Sequence, residues 1–421
     1  MPCGFAMTVV SRTLTSAWNR CSLRRSPTGW TAPLPETAPT LLQLLRERPP
    51  GYGGVERVAH ELAERYGGIT LSLGQHSNGS ASGAASVAAA DPLSVSYRRL
   101  GWPVLRLGRM RVPLPALQPL RTLLAPDRVL LLHLPCPAIL VIGWIVHLLQ
   151  PARGLHVVWH AFLDERRWWF RAYEWLALAL ARRATTVVST SPVLLKLLAE
   201  ARVPTDALVL LPPVLPVALE PALLALEVSP LPLLEVLCIG RLDSYKRFDW
   251  VMQAIAAVPG TRLTIAGAGP DREALQRLGD SLGLAVSARL SFLGRVSEQR
   301  KQTALAASHV LVLPADTSHE AFGIVQLEAM AGGRTALCID HPRSGMAWVN
   351  GLALPPHHPC RDPSDLIALL QRFKAEPALV HRCGLQARRR YLELFSRDRW
   401  QQRCTVLEQR LRLIPRPAQQ R

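Results

Sequence analysis

From residue 39 onward, short apolar runs alternate with stretches in which apolar residues recur at helical spacing. "TLLQLL" at 40–45 predicts a strand, "RPPGYGG" a loop, and "VERVAHELAERY" at 55–66 an amphipathic helix. "GITLSL" predicts the next strand, and 74–91 reads as a low-complexity loop. "RVLLLHL", "HVVWHA" and "ATTVVSTS" predict further buried strands, each followed by a helical stretch. A proline-rich connector follows, and then the alternation restarts with "EVLCIGRL", "RLTIAGAGP", "ARLSFLGRV", "HVLVLPA" and "TALCID". Such strand–helix alternation predicts parallel, doubly wound sheets. The chain divides into an irregular extension (1–38), a first Rossmann-like domain (39–212), a linker (213–234), a second Rossmann-like domain (235–385) and a helical segment (386–421) returning to the first. The expected class is α/β, with two Rossmann-like domains facing across a cleft. Strand carboxyl ends and helix N-termini meet in such a cleft, so a ligand is expected there.

Length supports the division, because 421 residues exceed one ordinary core. "VLLLHLPCPAILVIGWIVHLLQ" (129–150) is long enough for a membrane span, but His133, Pro135, Pro137 and His147 favour a buried strand, a turn and a packed helix. The formal charge of +18 is nearly all arginine. It is spread, with 23 basic against 13 acidic residues through position 220 and 26 against 18 beyond. Aromatic residues are few and not interleaved with a basic stripe, which argues against a nucleic-acid partner. The basic stretch Arg98 to Arg111 reads equally as a patch for anionic lipid or a phosphorylated acceptor and as a solvated loop. Eight scattered cysteines without metal-type spacing point to a reducing cytoplasm and no structural zinc.

The sharper chemistry lies in the second half. "GRLDSYKR" places Arg241 just past a strand and Lys246 near a helix start, where two cations and helix amides suit a pyrophosphate. Alone, the two are more often surface cations flanking a turn. "AGAGP" is a glycine turn that admits a ligand or another backbone. In "HEAFGIVQLEAM" a helix is expected to begin near Gly323, with the amides of Phe322, Gly323 and Ile324 free to hold an anion or a sugar hydroxyl. Glu320 precedes that helix and Glu328 lies inside it; carboxylates suit vicinal diols. The blander alternative makes Glu320 a capping acid and Glu328 an exposed helix residue, which the apolar neighbours of Glu328 weaken. In the first half, Gly53 and Gly54 open a helix after a strand, as a phosphate loop or a flexible turn. His160 lies just beyond a buried strand, where a lone histidine is more often structural.

Together these segments resemble one family. "GYGGVERV", "VVWHAFLD", "STSPVLL", "IGRLDSYKRFD", "TIAGAGP", "FLGRV", "HEAFGIVQLEAMAGG", "SGMAWVN" and "LFSRDRW" resemble, in order over roughly 39–413, a retaining GT-B glycosyltransferase of family 4 (glycosyl transferases group 1), of the bacterial surface-polysaccharide type. The resemblance implies roles at matching positions. Arg241 and Lys246 would hold the donor diphosphate, and Glu320 the donor sugar. Phe322, Gly323, Ile324 and Val325 would offer amides, and Glu328 would hold the ribose. Phe292 to Val296 would border the base, Gly53 and Gly54 would close over the phosphates, and His160 would contact the sugar. It implies a cytoplasmic hexosyltransferase, able to reach the membrane surface, that uses a GDP- or UDP-sugar without metal or other cofactor. The acceptor would be a saccharide or a lipid-linked saccharide of polysaccharide or lipopolysaccharide biosynthesis. "WVNGLALPP" (348–356) is shorter than the family's usual loop. A nucleotide-sugar epimerase and a non-catalytic nucleotide-sugar binding protein are the alternatives.

Overall fold

The computed structural model describes residues 39–51, 53–74, 95–108, 110–163, 167–227, 233–354 and 364–416. The extension, the low-complexity loop beyond Gly74 and residues 355–363, with the end of "WVNGLALPP", lie outside these residues. Contacts divide the chain into two compact units. Described residues 39–190, 195–213 and 401–416 belong to the first, and 191–194 and 214–400 to the second.

The first unit carries β1 (Thr40–Leu45), α1 (Gly54–Tyr66), β2 (Ile69–Leu73), β3 (Arg98–Trp102), β4 (Val104–Leu107), β5 (Met110–Pro113), α2 (Leu117–Leu124), β6 (Arg128–Leu134), α3 (Pro137–Leu149), β7 (His156–Trp159), α4 (Trp168–Ala181), β8 (Thr186–Ser189), α5 (Pro192–Glu200, shared at its start with the second unit) and β9 (Leu208–Leu210). Seven strands form one parallel sheet in the order β3-β2-β1-β6-β7-β8-β9. β1, β2 and β6 are almost wholly buried, which explains their unbroken apolar runs. The stretch 98–111, read as a basic patch or a solvated loop, is not a loop: it forms the edge strand β3 followed by the antiparallel hairpin β4–β5. Alternating arginines masked the apolar partners that pair across it. β9 was likewise not expected. Residues 129–150 form β6 and α3, and among the described residues no helix is long and apolar enough to cross a membrane.

The second unit carries α6 (Leu219–Leu224), β10 (Leu234–Ile239), α7 (Phe248–Ala257), β11 (Thr261–Ala266), α8 (Arg272–Ser281), β12 (Leu290–Gly294), α9 (Glu298–Ala306), β13 (Val310–Leu313), α10 (Ile324–Ala331), β14 (Thr335–Ile339), α11 (Met346–Asn350), β15 (Ala353–Leu354), α12 (Ser364–Ala375), α13 (Pro377–Leu394) and α14 (Arg397–Leu411, which runs into the first unit). Its parallel sheet has the order β12-β11-β10-β13-β14-β15.

Two boundaries differ from the sequence reading. The proline-rich segment is not a free connector, because Leu215, Leu219 and Leu223 are buried in the second unit's core. Glu220 there accepts hydrogen bonds from the Tyr391 hydroxyl at 2.7 Å and the Arg397 amide at 2.9 Å. The chain rejoins the first unit from residue 401, not 386, because α13 packs on α10 and β14 through buried Ala387 and Tyr391. Beyond that point Glu408 accepts from the Arg65 guanidinium at 2.6 Å and the Tyr66 hydroxyl at 3.2 Å, tying the chain end to α1.

The glycines of "AGAGP" serve a backbone, not a cradle of their own. A Cβ on Gly267 would lie 1.8 Å from the Gly240 carbonyl oxygen, and one on Gly269 2.3 Å from that of Leu242. Both glycines let the turn after β11 press against the loop after β10. Gly267→Ala is expected to destabilise the second unit by about 1–3 kcal/mol, since backbone must move. Urea unfolding of the variant checks this; an unchanged midpoint would show the two loops free to separate.

Candidate functional site

In each sheet the strand order reverses once, between β1 and β6 in the first and between β10 and β13 in the second. Loops leaving the carboxyl ends of neighbouring strands diverge there and leave a crevice. The loops at the second reversal are 240–247 and 314–323, which hold Arg241, Lys246, Glu320, Phe322 and Gly323.

Lys246 and Glu320 form an ion pair. Lys246 is buried, and Glu320 is largely so. Desolvation pulls the ammonium's pKa down, but the Glu320 carboxylate beside it more than offsets this and holds it above the ordinary lysine value. The pair is fixed from both sides. Arg247, in the left-handed region at φ 47°, stacks 4.0 Å above the Trp250 ring and bridges Asp249 at 2.8 Å and Asp316 at 3.2 Å. The Asp316 amide donates to the Tyr245 carbonyl at 3.1 Å. On the other side the Ser344 hydroxyl donates to the Glu320 carbonyl at 2.6 Å, and the Gly345 amide to that of Ala321 at 2.7 Å. Arg241 is different: its side chain is 69% exposed and pairs with Asp243.

The helix expected near Gly323 begins there. Gly323 is the N-cap of α10, with φ 70°, and a Cβ on it would meet Leu313 at 2.3 Å. Only glycine fits that conformation and that space. Ile324 and Val325 open the helix, leaving first-turn amides without helical partners. Gln326, fully buried, holds the turn by donating to the Phe322 carbonyl at 2.8 Å.

Glu328 is not an exposed helix residue but completely buried. Its Oε1 accepts from Lys301 at 2.8 Å, and Lys301 also reaches Glu298 at 2.7 Å. Lys301 was not anticipated, because nothing in the pattern of α9 sets it apart from a surface lysine. Any contact of Glu328 with a ribose therefore has to share the carboxylate with Lys301. Replacing Lys301 with Met would leave a buried carboxylate without its main counter-charge, a change worth about 3–5 kcal/mol of stability. Thermal unfolding of Lys301→Met beside the double variant Lys301→Met/Glu328→Leu is the check. The double variant should recover most of the loss.

In the first unit, Gly53 is the N-cap of α1 in extended conformation, and Gly54 is its first residue. The Glu56 side chain folds back over them, so that a Cβ on Gly53 would lie 2.0 Å from its Oε2. Burial raises the Glu56 pKa, an effect its backbone hydrogen bond opposes. A phosphate at this helix start would displace that carboxylate.

His160 follows β7, is buried, and belongs to a polar chain that sequence reading did not connect. Its Nε2 lies 2.9 Å from His133 Nδ1, and His133 Nε2 lies 3.0 Å from Gln43 Oε1. Gln43 Nε2 donates to the Ala59 carbonyl at 2.9 Å. That bond orients the amide and fixes everything downstream. Gln43 Oε1 must accept, so His133 donates from Nε2 and accepts at Nδ1. His160 then donates from Nε2, which leaves its Nδ1 as the acceptor. The register explains the alignment. Gln43 is level with Leu131 and His133 with Val158, so the three residues step diagonally across β1, β6 and the end of β7 on one face. The clue available in sequence was a glutamine and a histidine amid leucines of fully buried strands.

Burial, and then the neighbouring His160, hold the His133 pKa well below the ordinary value. Burial holds His160 down to about 3 and, with Arg153, His156 to about 4. All three are neutral when folded at pH 7. Below the unfolded value of 6.5 the unfolded chain binds protons that the folded chain does not, so stability falls as pH falls from 6.5 toward 4. The slope is up to about 1.4 kcal/mol per pH unit for each histidine. Urea unfolding between about pH 7.5 and 5 reads it directly; a flat profile from wild type would refute the neutral histidine pair.

Among the described residues no group of three or more His, Cys, Asp or Glu is placed to hold a metal ion. The five described cysteines are buried, and none of them forms a disulfide.

Residues 234–373 match the sequence profile of the Glycosyl transferases group 1 family. D-inositol 3-phosphate glycosyltransferase of Mycolicibacterium paratuberculosis is 38% identical over 102 residues, 23% of this chain and 22% of that protein. D-rhamnosyltransferase WbpZ of Pseudomonas aeruginosa is 28% identical over 165 residues, 38% of this chain and 41% of that protein. The matched region thus spans less than half the length of these curated relatives. Among solved structures, Anabaena HepE in complex with UDP-glucose aligns with a TM-score of 0.64 at 17% identity, covering 88% of this chain and 99% of that one. Sucrose-phosphate synthase from Thermosynechococcus elongatus aligns with a TM-score of 0.64 at 20% identity, covering 89% and 98%. The fold is that of the GT-B glycosyltransferases.

Proposed function

We propose that this protein is a retaining glycosyltransferase that moves a hexose from a nucleotide diphosphate sugar to a saccharide or lipid-linked saccharide. The observation that carries the reading is the Lys246–Glu320 pair beside the α10 N-terminus, at the strand-order reversal of the unit that matches the glycosyltransferase profile. Transfer of a sugar from a diphosphate builds negative charge on the leaving group. Lys246, Arg241 and the α10 amides from Gly323 to Val325 are the groups that would receive it. Glu320 sits against Lys246, so one carboxylate can accept from a sugar hydroxyl while its neighbour holds the phosphate. Glu328 takes the ribose in this reading.

His160 contributes its Nδ1, which the Gln43–His133 chain leaves as an acceptor for a sugar hydroxyl. The developing oxocarbenium centre is attacked by the acceptor hydroxyl on the face the diphosphate leaves, and the proton passes to the departing phosphate. No carboxylate is assigned as a covalent nucleophile. The donor base is guanine or uracil; the HepE structure was solved with UDP-glucose. Mannose is one candidate sugar. The pathway in this reading is polysaccharide or lipopolysaccharide assembly at the cytoplasmic face of a membrane; the likeness to the D-rhamnosyltransferase WbpZ supports sugar transfer.

Lys246→Ala and Glu320→Gln should each lower transfer from the cognate donor by about 100-fold or more, the scale of losing one preorganised charge partner. The two should differ in kind. Lys246→Ala should also weaken binding of the nucleoside diphosphate itself, whereas Glu320→Gln should leave it nearly intact. Nucleotide-dependent thermal shifts and radiolabelled sugar transfer separate them. Full transfer by Glu320→Gln would remove that residue from its role.

A further inference from the structure

Arg272 opens α8 and is half-buried. A cation in the first turn lies against the positive end of the helix dipole, where it costs stability. Nothing among the described residues offsets that cost: no hydrogen bond or ion pair reaches the guanidinium. Its one side-chain interaction there is with a ring. The guanidinium carbon lies 5.6 Å from the centre of Phe292, at the carboxyl end of β12. A residue that breaks a local rule without a compensating bond directs attention to a ligand.

The surroundings are built to stay open. Phe292 packs against the second unit's core, which holds the ring in place. The register of β11 and β12 shifts beyond Ile265, so that Ala266 pairs with Gly294, and the Gly267 amide donates to the Gly294 carbonyl at 2.8 Å. Gly294 itself has φ 67°. A Cβ on it would find, among the described residues and apart from its chain neighbours, only Arg272 Nη1 within 4 Å, at 3.8 Å. The result is an open shelf above Gly294, edged by one flat donor group and one flat ring.

The place of the shelf limits what can occupy it. The sheet order β12-β11-β10-β13 sets it two strand spacings, about 10 Å, from the β10–β13 crevice that holds Lys246 and Glu320. In a nucleotide the ribose bridges such a gap between phosphate and base. Lys301, the partner of Glu328, lies in the first turn of α9, just past the loop that leaves Gly294. Diphosphate, ribose and base would then follow one another along the carboxyl edge. Flat walls suit a heterocycle better than a tetrahedral phosphate.

The chemistry of the guanidinium selects among bases, because it donates and never accepts. Guanine presents O6 and N7 side by side, which match the guanidinium fork in a bidentate pair. Adenine sets an amino donor beside N7, and uracil offers only single carbonyl acceptors. We propose that Arg272 reads the donor base, donating to O6 and N7 of a guanine laid over Gly294 beside Phe292, so that the donor is a guanosine diphosphate sugar. The proposal rests on the glycosyltransferase reading and narrows its substrate to one base.

Calorimetric titration of the full chain with GDP, UDP, ADP and GDP carrying carbon in place of N7 is the test. Wild type should bind GDP about tenfold or more tighter than ADP, and tighter than UDP and the carbon analogue. Arg272→Met should lose about tenfold or more of the GDP affinity, bind ADP within about twofold of wild type, and no longer distinguish GDP from the carbon analogue. Arg272→Lys, which keeps the charge and loses the fork, should not restore the preference. Without nucleotide, Arg272→Met should unfold at the same temperature as wild type or a higher one, because a cation has left the helix start. Tighter binding of UDP than GDP by wild type overturns the proposal, as does equal weakening of every diphosphate in Arg272→Met. The carbon analogue tested on wild type decides the matter even if a variant fails to fold: binding equal to that of GDP is fatal. Sugar transfer from a uridine donor would sink the guanine assignment and leave the enzymatic reading standing, whereas a wild type that binds no diphosphate ends both.

Discussion

A buried ammonium is tolerated only where a carboxylate and well-placed hydrogen bonds repay its lost hydration, and Lys246 is such a group. Its dependence on Glu320 decides how the second unit is built around the strand-order reversal. The loop after β10 and the loop after β13 each supply one half of the pair, so neither can move without stranding a charge. Arg247 repeats the device one residue on, bonding to Asp316 of the other loop, and Ser344 pins the Glu320 backbone from a third. Gly267, Gly269 and Gly323 supply the close approaches that these links require. The result is a fixed cation and carboxylate beside the first-turn amides of α10, with Arg241 exposed on the same loop and paired with Asp243.

The first unit solves a related problem with neutral groups. Burying histidine in a leucine-rich sheet is affordable only if it stays uncharged and satisfied. Gln43 meets the second condition for His133, and His133 for His160. The chain runs diagonally across three strands, so its geometry is set by the sheet register and not by loop conformation. A group tied to a rigid sheet in this way presents one ring nitrogen in one protonation state, which is what contact with a hydroxyl of defined direction needs.

Much of this was legible in the sequence for identifiable reasons. Buried parallel strands write themselves as unbroken apolar runs, so β1, β2 and β6 were placed almost to the residue, and β10 with an end three residues too long. Turns that need glycine announce themselves, so the start of α10 was placed at Gly323. What sequence hides is pairing between distant positions. Nothing local distinguishes Lys301, which neutralises Glu328 from 27 residues away, or joins Gln43 to His133 from 90 away. The β4–β5 hairpin was missed because its meaning lies in cross-strand register. Read along the chain, 104–113 looks basic; read across the strands, it has an apolar face and an anchored arginine face.

The net charge of +18 becomes intelligible once arginine is seen in two uses. Many arginines act as carbonyl caps instead of ion-pair partners. Arg334 is almost fully buried and donates to the carbonyls of Leu305, Gly332, Glu227 and Ala306, while burial lowers its pKa to about 10. Arg388 closes the carbonyls of Ala331 and Leu226, Arg153 those of Leu123 and Arg128, and Arg289 those of Thr261 and Val258. Each satisfies helix or strand ends that would otherwise be orphaned, with a planar fork suited to several oxygens at once. Such arginines need no acidic partner, so they raise the formal charge without making a surface for polyanions. Arg171, exposed on α4, is of the second kind. It lies between the exposed Trp168 and Trp175 along the helix. Formal charge therefore separates into a structural part, fixed by carbonyls inside each unit, and a surface part carried by exposed arginines of both units, such as Arg171 in the first and Arg277 and Arg389 in the second.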